Sequence, residues 1–178
     1  DYEPYAIKRD EKITKLLSKN NIKVKSFKDQ VIFEEFEVLK DDKTPYTVFT
    51  PYKNKWLLAL DPINKSNGFN INTQIEFSNF IKESTDMPSL NDLGFIQSDI
   101  IVKPFNFSFL SNYDSIRDFP FKDQTSYLSP HLRFGSISIR ECVNVALEKN
   151  SIFLSELIWR EFFMQILFHF PHVVKKSF

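Results

Sequence analysis

The sequence is poor in cysteine and glycine. Its one cysteine, Cys142, excludes an intramolecular disulfide framework and a cysteine-built zinc site. Among only 3 glycines there is no G-x-G-x-x-G turn after a strand-like run, which argues against an ordinary dinucleotide-binding oxidoreductase. The histidines His131, His169 and His172 have no metal-ligand spacing, so we expect no metal site and no hydrolase chemistry.

The chain also has no excess charge. Lysine plus arginine and aspartate plus glutamate number 23 each, which argues against a polyanion binder acting by charge alone and leaves room for a local basic patch. The opening "DYEPYAIKRDEKI" is charged from its first residue, so no signal peptide is predicted. Glu156, Arg160 and Glu161 interrupt the long apolar run near the end, so we expect no membrane span. We therefore expect a cytoplasmic protein.

Aromatic residues are abundant instead. The chain has 20 phenylalanines, and aromatic residues make up 16% of it. Nucleotide bias in the coding sequence is one explanation. The other is that the second half packs around a large flat ligand, and composition leaves both open.

The first part of the chain has the pattern of an α/β domain. A helix is predicted from Pro4 to about Asn20, followed by a strand over "IKVKSF" and a second short strand over "QVIF". One helix and two short strands cannot close an α/β core. Residues 1–40 therefore resemble the end of a larger α/β domain.

The remaining chain divides into a connecting segment and a helical part. Residues 41–104 contain prolines and a polar, asparagine-rich run, with a short helix predicted around Tyr52 to Leu60. Residues 105–178 read as successive helices, one ending at Gly135, one capped by Ser138 and a long one beginning at Ser151. The predicted fold class is mixed, with an α/β end, a linker and the start of an all-α domain.

The long helix carries a stripe suited to a flat ligand. Glu156, Trp159, Arg160 and Phe163 fall within roughly 60° on a helical wheel. A nucleobase could stack on the indole while the carboxylate accepts from an exocyclic amine. The alternative is an interhelical ion pair beside a core tryptophan, which spacing alone favours. Glu161 points the opposite way, and we expect it to pair with a buried arginine such as Arg133 or Arg140.

A second group of polar residues precedes that helix. Tyr113 and Arg117 are four residues apart and would share a helix face. Thr125, Ser126 and Ser129 surround a predicted helix start, where hydroxyls and free backbone N–H groups suit a phosphate. Ordinary helix capping by Thr125 or Ser126 explains the same pattern, and spacing does not decide between them.

Four segments resemble the photolyase and cryptochrome family of flavoproteins. They are "YEPYAIKRD", "YTVFTPYKNKW", "RDFPFKDQTSYLSPHLRFGSISIRE" and "FLSELIWREFF" with the later "FHFP", in the family's order. The resemblance covers nearly the whole chain and is weakest between Asp61 and Pro104. It implies an α/β antenna domain, a linker and an all-helical FAD-binding domain. This chain would contain the end of the antenna domain, the whole linker and the beginning of the FAD-binding domain.

The resemblance also implies roles for individual residues. It implies that Arg117 contacts DNA phosphate. Glu156 would hydrogen-bond the bases of a lesion and Trp159 would pack against the lesion, and these two are the expected catalytic residues. The expected FAD contacts are Tyr113, Thr125, Ser126, Tyr127, Leu128, Ser129 and Phe153. The expected DNA contacts besides Arg117 are Glu156, Leu157, Ile158, Trp159, Arg160, Glu161, Phe162 and Phe163, with Glu161 also expected to be structural.

The implied activity is light-driven DNA repair by a monomer. An electron from excited, reduced FAD would split a cyclobutane pyrimidine dimer, as in the microbial dimer-repairing enzymes. A cryptochrome-like photoreceptor and an inactive truncated remnant are the alternatives. Some members bind a folate antenna with an Asn-Glu pair where this chain has Tyr5 and Ala6, so the antenna pigment is left unknown.

Overall fold

The computed structural model describes residues 1–66, 69, 77–80, 82 and 86–176. Two compact units are distinguished, one formed by residues 1–69 with 105–178 and the other by residues 70–104. The larger unit contains the helices α1 (Pro4–Lys19), α2 (Phe49–Lys65), α3 (Tyr113–Ile116), α4 (Leu128–Phe134), α5 (Ile139–Lys149) and α6 (Ser151–His169). Short 3₁₀ turns at Leu110–Asn112, Pro120–Lys122 and Pro171–Val174 complete it.

The smaller unit has little regular structure in its described part. It holds a 3₁₀ turn at Phe77–Asn79 and a turn in which the Ser89 backbone N–H donates to the Asp92 carboxylate over 2.9 Å. Gly94 closes this turn with φ +80, the left-handed region that glycine enters without strain. Much of the polar run predicted as linker, residues 67–68 and 70–76, lies outside the described residues.

Helix α6 is the central element of the larger unit. The Asn150 side chain caps it by accepting from the N–H groups of Ile152 and Phe153. The helix packs against α2, α3 and α5. Because it is covered on several sides, its buried residues do not form a single stripe: Phe153, Leu154, Leu157, Ile158, Glu161, Phe162 and Gln165.

The helix predictions are confirmed in their main features. The first helix begins at Pro4, and α4 ends at Gly135, whose φ of 69 is the left-handed helix stop expected there. The Ser138 hydroxyl accepts from the Arg140 N–H at the start of α5. The helix predicted around Tyr52 to Leu60 is longer than expected and runs from Phe49 to Lys65.

The two strand predictions are wrong. Within the described part of the chain no β-strand is present, and residues 22–27 and 30–33 have irregular backbone. Val31, Ile32 and Phe33 are buried as a strand would be, at 4%, 2% and 5% exposure. The N–H groups of Ile32 and Phe33 donate to Glu161, and the carbonyls of Val31 and Phe33 accept from Arg140 and Gln165. Side chains of α5 and α6 thus provide partners that a neighbouring strand would otherwise provide. The helical part of the predicted mixed fold is confirmed, and the α/β part stays a prediction.

Side chains of α5 and α6 hydrogen-bond to residues 28–37, here called the 28–37 segment. Arg140 donates to the carbonyls of Lys28 and Asp29 over 3.1 Å each. Gln165 donates to the Phe33 carbonyl over 3.2 Å, and a ring nitrogen of His169 lies 2.8 Å from the Glu35 carbonyl oxygen. The segment is thereby fixed against α6 without regular secondary structure.

A search for membrane-crossing helices among the described residues finds none with the necessary length and apolarity.

Candidate functional site

A cavity of about 490 Å³ lies between α3, α4 and α6. It collects residues that were predicted separately as flavin and DNA contacts. Those that line it are Tyr113, Ser126, Leu128, Ser129, Phe153, Glu156, Leu157 and Arg160. Thr125, Tyr127, Arg117, Ile158, Trp159, Glu161, Phe162 and Phe163 are not among its lining residues.

One wall of the cavity is aromatic. The Tyr113 ring meets Phe153 edge to face, with centroids 5.1 Å apart. Burial raises the pKa of the Tyr113 phenol, and the nearby Glu156 carboxylate acts in the same direction. The wall therefore offers a neutral phenol and a phenylalanine ring to a flat ligand.

The second wall begins just before α4. Tyr127 has φ 54, a left-handed conformation unusual for a residue with a side chain, and the helix starts directly after it at Leu128. The Ser126 carbonyl accepts from the Asn106 N–H over 3.0 Å, which anchors this turn. Ser126 and Ser129 line the cavity, whereas Thr125 is exposed and the Tyr127 hydroxyl hydrogen-bonds the Asp123 carboxylate.

A third side of the cavity carries an ion pair. The Arg117 Nη1 donates to the Glu156 Oε1 over 2.6 Å, and their side chains are 32% and 34% exposed. The guanidinium also lies over the Tyr113 ring, 5.5 Å from its centroid. The hydrogen bond that Arg117 donates to Glu156 raises the pKa of the arginine, which is charged in any case.

Trp159 stacks with two phenylalanine rings. Phe49 of α2 lies nearly parallel to it at a centroid distance of 3.5 Å, and Phe163 stacks at 5.4 Å. Two phenylalanine rings therefore stack on the indole that is expected to pack against a lesion. Phe163, which is 60% exposed, is the less constrained of the two.

Arg160 faces the cavity and the 28–37 segment. Its guanidinium donates to the Gln30 carbonyl over 2.7 Å. Burial lowers the pKa of this arginine, and the neighbouring Glu161 carboxylate opposes that shift. The stripe predicted on α6 is thus divided among three partners, Arg117 for Glu156, Phe49 for Trp159 and Gln30 for Arg160.

Glu161 is buried at 2% exposure and binds four donors of other segments. Its carboxylate accepts from the Ile32 N–H over 2.6 Å, the Phe33 N–H over 3.1 Å and the Trp56 Nε1–H over 2.7 Å. The Tyr52 hydroxyl lies at 3.5 Å. Burial raises the pKa of Glu161 to about 7, with the three N–H donors pulling in the other direction.

One prediction about Glu161 is corrected by this geometry. The expected arginine partner is wrong, because Arg133 pairs with Asp1 and Glu3 and Arg140 binds backbone carbonyls. The DNA contact expected of Glu161, Ile158 and Phe162 stays a prediction, and their side chains are 2%, 0% and 5% exposed. The expected structural role of Glu161 agrees with its position.

Sequence reasoning missed several residues of this region. Gln30, Arg133 and Met164 line the cavity, and Tyr52 and Trp56 complete the Glu161 site. One available signal was the polar stripe at Glu161, Gln165 and His169, spaced by four on a mostly apolar helix. Among the described residues, no group of three or more His, Cys, Asp or Glu side chains is placed to hold a metal ion.

Comparisons with known proteins find similarity to photolyases. The family model described as DNA photolyase matches residues 1–67. The deoxyribodipyrimidine photo-lyase of Alkalihalophilus pseudofirmus is 32% identical over 183 residues, covering 92% of this chain and 38% of the relative. That of Synechococcus sp. is 28% identical over 204 residues, covering 96% and 41%. The chain therefore spans about two fifths of the length of these relatives.

The fold is similar to that of a solved photolyase structure. The crystal structure of a bacterial class III photolyase from Agrobacterium tumefaciens matches with a TM-score of 0.68 and 23% identity. The match covers 99% of this chain and 41% of that one.

Proposed function

We propose that this chain, which is related to the DNA photolyase family along nearly all its length, takes part in light-driven repair of cyclobutane pyrimidine dimers. The observation that carries the proposal is the cavity of about 490 Å³, where Tyr113, Phe153 and two serines meet Glu156. Residues expected to bind the flavin and residues expected to bind the lesion thus share one space.

The residues present fit part of an FAD molecule. Tyr113 and Phe153 provide an aromatic wall for a flat ring system, and Ser126 and Ser129 provide hydroxyls for the pyrophosphate. Arg133 also lines the cavity and is paired with Asp1 and Glu3. When bound, FAD supplies the electron that light drives into the dimer. Thr125, Tyr127 and Leu128 would support this wall from the same turn.

The chain's own residues would recognise the lesion. In this proposal Glu156 accepts hydrogen bonds from the dimer bases, and Trp159 stacks on them after Phe163 moves aside. Arg117 binds a flanking phosphate. Leu157 and Arg160 shape the floor of the cavity between them.

The wider setting belongs to the same proposal. Residues 1–40 would be the end of an α/β antenna domain, 41–104 the interdomain linker and 105–178 the start of the FAD-binding domain. The partner would be DNA containing pyrimidine dimers, the protein would act as a cytoplasmic monomer, and the antenna pigment is left open.

The test uses a chimera in which this chain replaces the aligned part of the A. pseudofirmus photo-lyase. A soluble, yellow chimera that splits dimers in an oligonucleotide under blue light is the expected result. A yellow chimera that does not split dimers would contradict repair and favour a cryptochrome-like photoreceptor. A folded but colourless chimera would contradict the flavin assignment and favour an inactive remnant.

A further inference from the structure

The Arg117–Glu156 ion pair borders two cavities. Glu156 lines the cavity of about 490 Å³ and also a second cavity of about 320 Å³. Arg117 lines only the second. The carboxylate expected to recognise bases is therefore bound to the guanidinium expected to recognise the DNA backbone.

The second cavity brings two cationic and two hydroxyl side chains together with Glu156 and apolar residues. Lys53 of α2 joins Arg117 there, and the hydroxyl residues Ser151 and Ser155 come from the first turns of α6. Within the described ranges Lys53 has no ion-pair partner, whereas Arg117 is held by Glu156 at 2.6 Å and by Asp118 at 3.6 Å. An anion entering this cavity would meet one available cation and one whose charge is already compensated.

The pair can exchange its partner. Both side chains are about one third exposed, so solvent and ions reach them without unfolding of the helix. A phosphate and a carboxylate compete for the same N–H donors at the edge of a guanidinium, since both offer two oxygens at matching spacing. The Tyr113 ring, 5.5 Å from the Arg117 guanidinium carbon, can keep the arginine in place while its anionic partner changes.

We propose that the Arg117–Glu156 pair is an exchange latch, in which a DNA backbone phosphate displaces the Glu156 carboxylate from Arg117 and frees it to accept hydrogen bonds from a base in the larger cavity. The inference rests on the proposed function and deepens it. Glu156 then competes with the DNA backbone for Arg117 until a phosphate is bound. Base recognition then follows docking of the backbone, because the carboxylate is engaged elsewhere beforehand.

The experiment measures binding of a fluorescein-labelled oligothymidylate without lesions by fluorescence anisotropy at several salt concentrations. Glu156→Gln removes the competitor, so it should bind the oligonucleotide roughly two- to fivefold more tightly, the range of an exposed ion pair. The slope of log affinity against log salt should steepen by about 0.7, corresponding to one added phosphate contact on a single strand. In an Arg117→Gln background, Glu156→Gln should have no such effect.

Two matched variants separate the latch from a general change in charge. Asp114→Asn removes one exposed negative charge from α3, and its effect should persist in the Arg117→Gln background. Lys53→Gln removes a cation from the same cavity and should weaken binding while leaving the Glu156→Gln gain intact. Circular dichroism would verify that each variant is folded.

The outcomes distinguish the latch from the proposed function. An equal gain from Glu156→Gln with and without Arg117, or no binding by either the parent or Glu156→Gln, would overturn the latch. An Arg117-dependent gain in a protein whose chimera does not repair dimers would support the latch and reject repair. Repair by the chimera without Arg117 dependence would do the reverse.

Discussion

Helix α6 carries two glutamates five residues apart in opposite environments. Glu161, on the buried side, is 2% exposed and accepts from backbone N–H groups and the Trp56 indole. Glu156, on the cavity side, is about one third exposed and binds Arg117. The first fixes two segments of the chain to the helix, whereas the second remains accessible to a ligand.

The difference shows that the partners of a carboxylate decide its role. A buried acceptor bound by several donors cannot be removed without leaving those donors unsatisfied. An exposed ion pair contributes little to folding and is free to exchange. We therefore assign the fold-determining role to the buried side of α6 and propose the binding role for its cavity side.

The largest expected effect is loss of the buried carboxylate. Glu161→Ala leaves the N–H groups of Ile32, Phe33 and Trp56 without an acceptor, and we expect it to lower the free energy of unfolding by about 3–5 kcal/mol. Urea denaturation followed by circular dichroism measures this. A loss below about 1 kcal/mol would place Glu161 outside the determinants of the fold.

The second effect is a dependence of stability on pH. Burial raises the pKa of Glu161 to about 7 from the 4.5 of an ordinary glutamate, so between these values the folded chain holds a proton that the unfolded chain releases. Its stabilising contribution is complete below pH 4.5 and falls by up to about 3 kcal/mol as the pH rises through 7, with Arg160 as the nearest compensating charge.

Glu161→Gln should abolish that dependence. Other carboxyls have lowered pKa values, such as Asp42 hydrogen-bonded by Thr44 and Asp92 hydrogen-bonded by Ser89. They change the stability at lower pH, and they do so equally in the parent and in Glu161→Gln. The difference between parent and variant in urea denaturation at pH 5 and pH 8 therefore isolates Glu161. An identical pH profile for the two proteins would refute the prediction.

The third effect concerns the Asn150 cap of α6, the helix that carries both glutamates. Asn150→Ala removes the side-chain oxygen that accepts from the Ile152 and Phe153 N–H groups, and we expect a loss of about 1 kcal/mol. Amide hydrogen exchange should increase in the first turn of α6 and stay unchanged around Glu161. Asn54→Ala, an exposed change on α2, serves as the control and should not destabilise the protein.

The smallest effect is expected from the exposed glutamate. Glu156→Gln should change the free energy of unfolding by no more than about 1 kcal/mol, since its partner Arg117 remains hydrated. Thermal unfolding beside Glu161→Ala gives the comparison directly. If the two variants were equally destabilised, the distinction between the two sides of α6 would be lost.

The sequence predicts the helices better than it predicts the tertiary contacts of their side chains. Pro4, Gly135 and Ser138 mark helix boundaries through local backbone chemistry, and the structure confirms them. The strand over "QVIF" was mistaken because an apolar run records burial, and burial here is achieved by side-chain hydrogen bonds from α5 and α6.

The candidate site shows the same limit. Tyr113, Phe153 and Glu156 line one cavity, although a contact between α3 and α6 is not encoded in the spacing of either helix. The partner of Glu161 was wrong because its donors, Ile32 N–H and Trp56, lie more than a hundred residues away and one belongs to the backbone. Tertiary packing alone determines such pairings.

The most direct test of the division between the two sides of α6 is dimer repair by the chimera carrying Glu156→Gln. We predict that the rate of light-driven dimer splitting falls about tenfold or more while flavin absorbance and thermal unfolding match those of the parent chimera. An unchanged repair rate in a folded, yellow variant would contradict the assignment of the cavity side of α6 to lesion recognition.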